Sequence, residues 1–182
     1  DEEWLALAVA AIDELNTRYG DEARRPFALF HRRRQWNESE GCWMGWERKR
    51  GKLAEFNRLL LGDPDTSFER CHADVAAFRR VRLVITLDAD TRMPAGVAAS
   101  LAGILAHPLN RPVIAPSTGG VSRGYTAVQP RVETDPSSVE ETPFARLFAG
   151  NVALDPYVHA VSDVYQDLFG AGIFAGKGAY DV

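Results

Sequence analysis

The sequence predicts an α/β protein with an open sheet flanked by helices. Short apolar runs that are typical of strands alternate along the chain with segments whose apolar residues recur at helical spacing. One of these runs, VRLVITL at 81–87, is almost wholly apolar, as a central parallel strand that is buried on both faces is. We therefore expect strands and helices to share a layered core.

The first half of the chain divides into a helix, a strand, a loop and a second helix. Helical spacing of apolar residues predicts a helix over 3–19, which Gly20 ends, and PFALFH at 26–31 predicts a short buried strand. Residues 32–46 carry three tryptophans and are expected to form a loop. The next helix is predicted over 47–61, before a Gly-Asp-Pro stop.

The second half begins with the strand at 81–87 and a helix that starts at Pro94 and ends near Pro108. The remaining segments are predicted as strands at 111–116 and 125–133, loops at 117–124 and 134–143, helices at 144–150 and 159–170, and a glycine-rich tail at 171–182 that lies over a site.

Composition limits the class of protein. The 182 residues are 46% hydrophobic and 25% charged, as in an ordinary globular domain, and the net charge of −4 argues against non-specific nucleic-acid binding. Cys42 and Cys71 lack the spacing of a metal site or a disulfide framework, and no apolar run approaches the roughly 20 residues of a membrane span. Two basic runs, at 31–34 and 47–52, predict solvated faces, with an anion site as the alternative.

Two carboxylates follow the apolar run at 81–87 directly. Ligands of open α/β sheets gather beyond the carboxyl ends of strands, where Asp88 and Asp90 lie. Residues two apart in an extended backbone point the same way, so both side chains are expected to face one ligand. Because neighbouring like charges need a compensating cation, the pair predicts Mg²⁺ or Mn²⁺ together with the oxygens of a diphosphate.

Two alternatives remain open for this pair. Asp90 precedes the helix that Pro94 begins, so the two carboxylates could be a helix N-cap and a turn residue. The haloacid-dehalogenase-like phosphatases also carry D-x-D-x-T after an apolar strand, with the first Asp as nucleophile. In this chain Arg92 takes the place of that Thr, and Thr91 stands one residue early.

Several motifs taken together resemble the glycosyltransferase module of the cyclic β-1,2-glucan synthases, which are large bacterial membrane enzymes that polymerise glucose from UDP-glucose. The resemblance runs in one order from the first helix to the last residue, and more distantly the chain is similar to cellulose synthase. The motifs are WERKRGKLAEFNRLL, VITLDADTRMP, AHPLNRPV, VQPRV, DPYVHAVSDVYQDLFG and FAGKGAYDV.

The resemblance implies a partial GT-A (Rossmann-like) sheet that lacks the first strands of the nucleotide-binding half, with residues 1–182 as the central fragment of one GT-A domain. It implies inverting, metal-dependent transfer of glucose to a growing β-1,2-glucan, at the cytoplasmic face of the bacterial inner membrane. The uridine pocket is then expected before residue 1, and the general base and the membrane spans outside the segment. A non-catalytic structural or sugar-binding fragment is the alternative.

The resemblance also implies roles for the residues that match its motifs. Asp88 and Asp90 would be the catalytic metal–diphosphate motif, and Lys49 would contact the nucleotide. Gln129 and Arg131 would lie by the donor sugar or the acceptor channel. As alternatives, Lys49 is a solvated helix residue and Gln129 satisfies backbone groups at a strand end.

The acceptor side would be lined by Gly176, Lys177 and Gly178, since glycine permits close backbone approach; otherwise this segment is a flexible turn. Asp163 and Asp167, spaced i and i+4, are acceptor-side candidates, although an exposed like-charged helix face is the commoner arrangement.

The remaining aromatic and basic residues each allow a structural and a ligand-binding role. The three tryptophans in the predicted loop, Trp36, Trp43 and Trp46, are expected to fill the core, with stacking on a sugar or on uracil as the alternative. Arg32 to Arg34 are expected at a solvated edge, with a phosphate contact as the alternative.

Overall fold

The structure is a computed structural model that describes residues 2–21, 24–72, 75–130, 139, 142–148, 168 and 176–182. These residues form helices and short antiparallel strands. The chain forms two compact units, the first comprising Asp1–Arg82 with Val182 and the second Leu83–Asp181. The expected mixture of helix and sheet is confirmed. Among the helices that the structure describes, none combines the length and apolar character needed to cross a membrane.

The described residues of the first unit form three helices and four strands. In chain order they are α1 (Glu2–Tyr19), β1 (Leu29–Arg32), β2 (Gln35–Asn37), β3 (Cys42–Met44), α2 (Arg48–Leu60), β4 (Phe68–His72) and α3 (Val75–Phe78). The predictions of α1, β1 and α2 are confirmed. Strand β4, which the sequence analysis did not predict, pairs antiparallel with β1, from Leu29 opposite His72 to Arg32 opposite Phe68.

The prediction of a loop over 32–46 is wrong, because this segment contains the β2–β3 hairpin, in which Trp36 pairs with Trp43. The turn is closed by the Asn37 side chain, whose Oδ1 accepts a hydrogen bond from the backbone N–H of Ser39 at 3.0 Å. An asparagine that bonds its own backbone two residues on is a common way to start a tight turn.

Aromatic packing forms much of the interior of the first unit. Phe30 of β1 makes edge-to-face contacts with Phe56, Phe68 and Phe78, at ring-centroid distances of 5.3, 5.9 and 5.4 Å. Such contacts add to the free energy gained by burial of the rings. Because these rings come from α2, β4 and the end of α3, Phe30 joins three elements around one strand.

The described residues of the second unit form two α-helices and five strands. In chain order they are β5 (Leu83–Thr86), α4 (Val97–Ala106), a 3₁₀ turn (Pro108–Asn110), β6 (Val113–Ile114), β7 (Val121–Arg123), β8 (Ala127–Val128), α5 (Pro143–Phe148) and β9 (Gly178–Asp181). The core joins Leu101 and Leu105 of α4 to Ala179 of β9. The predicted helix at 159–170 lies outside the described residues, apart from Leu168.

The prediction that β5 is a central parallel strand is wrong. In the described sheet the strand order is β5-β9-β8, so β5 lies at one end and pairs antiparallel with β9. The apolar run has a different cause: Leu83 and Ile85 pack against the core beneath α4, while Val84 and Thr86 are buried on the other face. Cover on both faces therefore does not require parallel neighbours.

Two predicted boundaries in the second unit also need correction. The helix that was expected to begin at Pro94 begins at Val97, since Gly96 is its N-cap and adopts a left-handed conformation with φ of 85°. The segment at 117–124, predicted as a loop, contains β7, which pairs antiparallel with β6. The helix predicted at 144–150 is confirmed as α5.

Candidate functional site

Three of the residues singled out from the sequence lie at one edge of the β5-β9-β8 sheet. Both β5 and β8 pair antiparallel with β9, so their carboxyl ends lie at the amino end of β9. Asp88 follows β5, Gln129 follows β8 and Lys177 precedes β9. We call these three residues the carboxylate edge.

An ion pair links two members of the carboxylate edge. The Nζ of Lys177 lies 3.4 Å from Oδ2 of Asp88, and the two side chains are 32% and 34% exposed. The sequence analysis assigned Asp88 to the metal and Lys177 to the acceptor side, and the structure brings them into contact. The strand register explains this: Thr86 is opposite Gly178, so the residues just beyond both strands approach each other.

The backbone after β5 turns instead of remaining extended. The backbone N–H of Thr91 donates a hydrogen bond to the carbonyl of Asp88 at 3.0 Å, which closes a turn over 88–91. Side chains two residues apart point the same way only in extended backbone. The argument that Asp88 and Asp90 face one ligand for this reason therefore does not apply. Asp88 is half-buried, whereas Asp90 is exposed.

The N-cap interpretation of Asp90 is also wrong. Helix α4 is capped by Gly96, without a side-chain hydrogen bond, six residues after Asp90. The turn interpretation holds for the backbone of Asp88. Asp90 therefore does not cap the helix. Its proposed role in ligand binding stays a prediction.

The Gly176-Lys177-Gly178 segment gives Lys177 a defined starting point. Gly176 is buried and has φ of 76°, a left-handed conformation that favours glycine. Gly178 is buried as well, pairs with Thr86 and accepts a hydrogen bond at 3.4 Å from the Thr86 hydroxyl. Because Gly176 and Gly178 are both buried, the backbone at Lys177 is held in place. The alternative of a flexible turn is therefore wrong.

The donor set at this edge fits a divalent ion that also binds a substrate. Among the described residues no group of three or more His, Cys, Asp or Glu side chains is close enough to enclose a metal. Mg²⁺ is commonly held by one or two carboxylates together with substrate phosphates. Asp88 is such a carboxylate, but its Oδ2 is paired with the Lys177 ammonium, which a metal would have to displace.

Comparisons with known proteins decide the family. No protein-family model matches the chain. The chain is 49% identical, over an alignment of 183 residues that covers 100% of it, to the cyclic beta-(1,2)-glucan synthase NdvB of Rhizobium meliloti (strain 1021). The chain is a fragment of the cyclic β-1,2-glucan synthase family. It spans 6% of the length of NdvB.

The other candidate residues of the chain fall in different places. Lys49 lies in the first turn of α2, in the first unit, and is half-buried. Gln129 is exposed at the end of β8. Arg131, Asp163 and Asp167 lie outside the described residues.

Arg32 is not at a solvated edge, because its side chain is buried. Its Nε lies 2.7 Å from Oε2 of Glu55, and it also donates to the backbone carbonyls of Trp46 and Arg48, at 2.6 and 3.1 Å. Burial raises the pKa of Glu55, but hydrogen bonds from Ser67 and the charges of nearby arginines lower it further, so the net shift is downward. This buried pair joins β1 to α2.

The prediction that the three tryptophans fill the core is wrong. Trp36, Trp43 and Trp46 are all exposed. The first two pack edge to face across the β2–β3 hairpin, with ring centroids 6.0 Å apart. Cross-strand aromatic pairs stabilise hairpins, and here the outer faces of the rings remain open to solvent.

The sequence did not predict a further feature of the first unit. A cavity of about 490 Å³ lies between α1 and the β1–β4 sheet, lined mostly by apolar residues of α1. At its rim, Nε2 of His72 lies 2.8 Å from Oδ1 of Asp13, to which Arg25 also donates. The His72 hydrogen bond lowers the pKa of Asp13, and Arg25 adds to this although partial burial opposes it. No local motif marks this cluster.

Proposed function

We propose that this segment forms part of the donor site of a glycosyltransferase domain with a GT-A fold. The full-length protein would transfer glucose from UDP-glucose to a growing β-1,2-glucan, with inversion at the anomeric carbon. Its partners would be the glucan acceptor and the remaining domains of the same chain, at the cytoplasmic face of the bacterial inner membrane. NdvB, to which the segment is 49% identical, is named as a cyclic glucan synthase.

The observation that carries the proposal is the ion pair between Asp88 and Lys177 at the sheet edge where Gln129 also lies. Each comes from a different motif of the family resemblance, and the three are far apart in sequence. In the described sheet the residues that follow β5 and β8 lie at the same edge as those that precede β9. A half-buried carboxylate beside an ammonium group is suited to binding a cation and an anion together.

Asp88 and Asp90 would hold Mg²⁺ or Mn²⁺. When bound, such an ion stabilises the negative charge that develops on the departing diphosphate. Asp88, which the turn and Lys177 orient, would be the better fixed of the two carboxylates. Asp90 would become ordered when the substrate binds.

The reaction has one bond forming and one breaking. The acceptor oxygen forms a bond to the anomeric carbon while the bond from that carbon to the diphosphate oxygen breaks, and UDP leaves with the electron pair. The acceptor proton passes to a base that we do not assign to a described residue. Gln129 would contact the donor, and the glycines around Lys177 would allow the acceptor chain to approach the backbone.

The test is Asp88→Asn in the full-length protein. We expect glucan synthesis and Mn²⁺-dependent UDP binding to be lost with little change in stability, because the substitution removes a charge at a partly exposed position. Asp65→Asn, at an exposed position of the first unit, is the matched control and should retain both. Unchanged glucan synthesis by the Asp88→Asn variant would refute the proposal.

A second candidate function, sugar binding without catalysis, is favoured by the exposed Trp36–Trp43 pair. Flat aromatic faces pack well against the apolar faces of sugar rings. Titration of the full-length protein with β-1,2-glucan oligosaccharides would test this. If Trp36→Ala abolished glucan binding while Asp88→Asn left glucan synthesis intact, the non-catalytic role would be preferred for this segment.

A further inference from the structure

The Lys177 ammonium is paired with Asp88, the carboxylate that the proposed function assigns to the metal. Its Nζ is 3.4 Å from Asp88 Oδ2, and both side chains remain about one-third exposed. The pair is therefore accessible to an incoming ligand. Lysine has a flexible four-carbon stem and a compact charge, so its ammonium can change partners without a movement of the backbone.

We propose that Lys177 exchanges partners when the donor binds: it neutralises Asp88 in the free protein and contacts a diphosphate oxygen in the complex. This inference rests on the proposed function, because it takes the metal and the diphosphate from there. It assigns Lys177 to the leaving group of the donor, whereas the family resemblance implies the acceptor side.

Charge balance supports the exchange. An ammonium group and a divalent ion compete for the same carboxylate, since each repels the other at close range. With the metal on Asp88 and Asp90, the two carboxylates, the metal and Lys177 together carry one net positive charge. The negative charge of a diphosphate offsets this positive charge, and phosphate oxygens are strong acceptors for a lysine ammonium.

The enclosed backbone on both sides of Lys177 limits where its ammonium can go. Gly176 and Gly178 are buried, and Gly178 is held in register opposite Thr86. Lys177 thus stays at the carboxylate edge in either state, and a diphosphate bound to a metal on Asp88 would lie within reach of its side chain.

The exchange predicts two effects of opposite sign when the charge of Lys177 is removed. Binding of the metal alone should strengthen, because a competitor for Asp88 is gone. Binding of UDP in the presence of the metal should weaken, because a charged contact to the phosphate is gone. A purely structural role for Lys177 would weaken both.

The experiment compares Lys177→Met, Lys177→Arg and the control Lys52→Met, at an exposed lysine of α2, in the full-length protein. Mn²⁺ binding without nucleotide is measured from the EPR signal of free Mn²⁺, and UDP binding at saturating Mn²⁺ by calorimetry. For Lys177→Met we expect Mn²⁺ binding to be about threefold tighter and UDP binding about tenfold weaker. Lys177→Arg should stay within about threefold of wild type in both.

The outcomes separate this inference from the proposed function. If Asp88→Asn fails to weaken Mn²⁺-dependent UDP binding, the proposed function falls, and the inference with it. If Asp88→Asn weakens that binding but Lys177→Met behaves like Lys52→Met, or weakens both affinities, the exchange is overturned while the donor site stands.

Discussion

Arg32 and Glu55 form a buried ion pair, with Nε 2.7 Å from Oε2 and side chains only 7% and 6% exposed. Ser67 completes the site, since its hydroxyl donates to Oε2 at 2.5 Å and its backbone N–H donates to Oε1 at 3.0 Å. A buried carboxylate needs such partners to offset the loss of hydration. The pair connects strand β1 to helix α2, on which Lys49 lies.

We expect Glu55→Ala to lower the free energy of unfolding by about 3–5 kcal/mol, because it leaves the charge of Arg32 buried without its carboxylate. Urea denaturation followed by tryptophan fluorescence measures this. Glu38→Ala, at an exposed position in the hairpin turn, should change the free energy of unfolding by less than about 0.5 kcal/mol. A loss of less than about 1 kcal/mol for Glu55→Ala would contradict the role of the pair.

The same pair makes stability depend on pH. The pKa of Glu55 in the folded protein lies below its ordinary value of 4.5. The unfolded chain therefore binds the proton first, so the contribution of Glu55 is fully present above that value and is lost as the pH falls through the lower, folded-state pKa. Urea midpoints measured from neutral to acidic pH should fall more steeply for wild type than for Glu55→Gln. Parallel pH profiles would show that Glu55 is not responsible.

Local patterns predicted the helices well, because α1 and α2 repeat apolar residues at helical spacing and stop at glycine. The position of Asp88 at a strand end was also predictable from the apolar run before it. The contact between Asp88 and Lys177 was not, since it arises from the antiparallel pairing of β5 with β9, and no local signal specifies a pairing between segments so far apart.

The burial of Arg32 was missed for a similar reason. A run of arginines normally indicates a solvated face, and nothing near it in the sequence identifies Glu55 as the partner that permits burial. The Trp hairpin was missed because its turn depends on the side chain of Asn37 instead of a recognisable Asn-Gly pair. In each case a single long-range or side-chain contact overrides the local preference.

Two helical glycines should respond in opposite ways to substitution by alanine. At Gly51 of α2 a Cβ would lie 2.0 Å from the carbonyl oxygen of Trp46, a backbone atom that cannot move aside. At Gly103 of α4 a Cβ would meet nothing within 4 Å. We expect Gly51→Ala to destabilise the protein by about 1–3 kcal/mol and Gly103→Ala to stabilise it by about 0.5–1 kcal/mol.

Urea denaturation of the two variants under identical conditions measures this difference. The sign matters more than the magnitude, because alanine is favoured over glycine in an unhindered helix. Stabilisation by Gly51→Ala would mean that the close approach of α2 to the Trp46 backbone is relaxed at little cost. That approach is what positions the start of the helix that carries Lys49.

The two aspartates after β5 should contribute unequally to donor binding. Asp88 is half-buried, and both its backbone and its carboxylate have partners, whereas Asp90 is exposed. Ordering a mobile side chain on binding costs free energy that a side chain already held in place does not lose again. We therefore expect Asp88→Asn to weaken UDP binding at saturating Mn²⁺ about fivefold more than Asp90→Asn.

Calorimetry on the full-length protein measures both losses. The double variant shows whether the two aspartates act as one site, because residues that share a ligand give non-additive losses. A larger loss for Asp90→Asn would identify Asp90 as the principal carboxylate and limit Asp88 to holding Lys177.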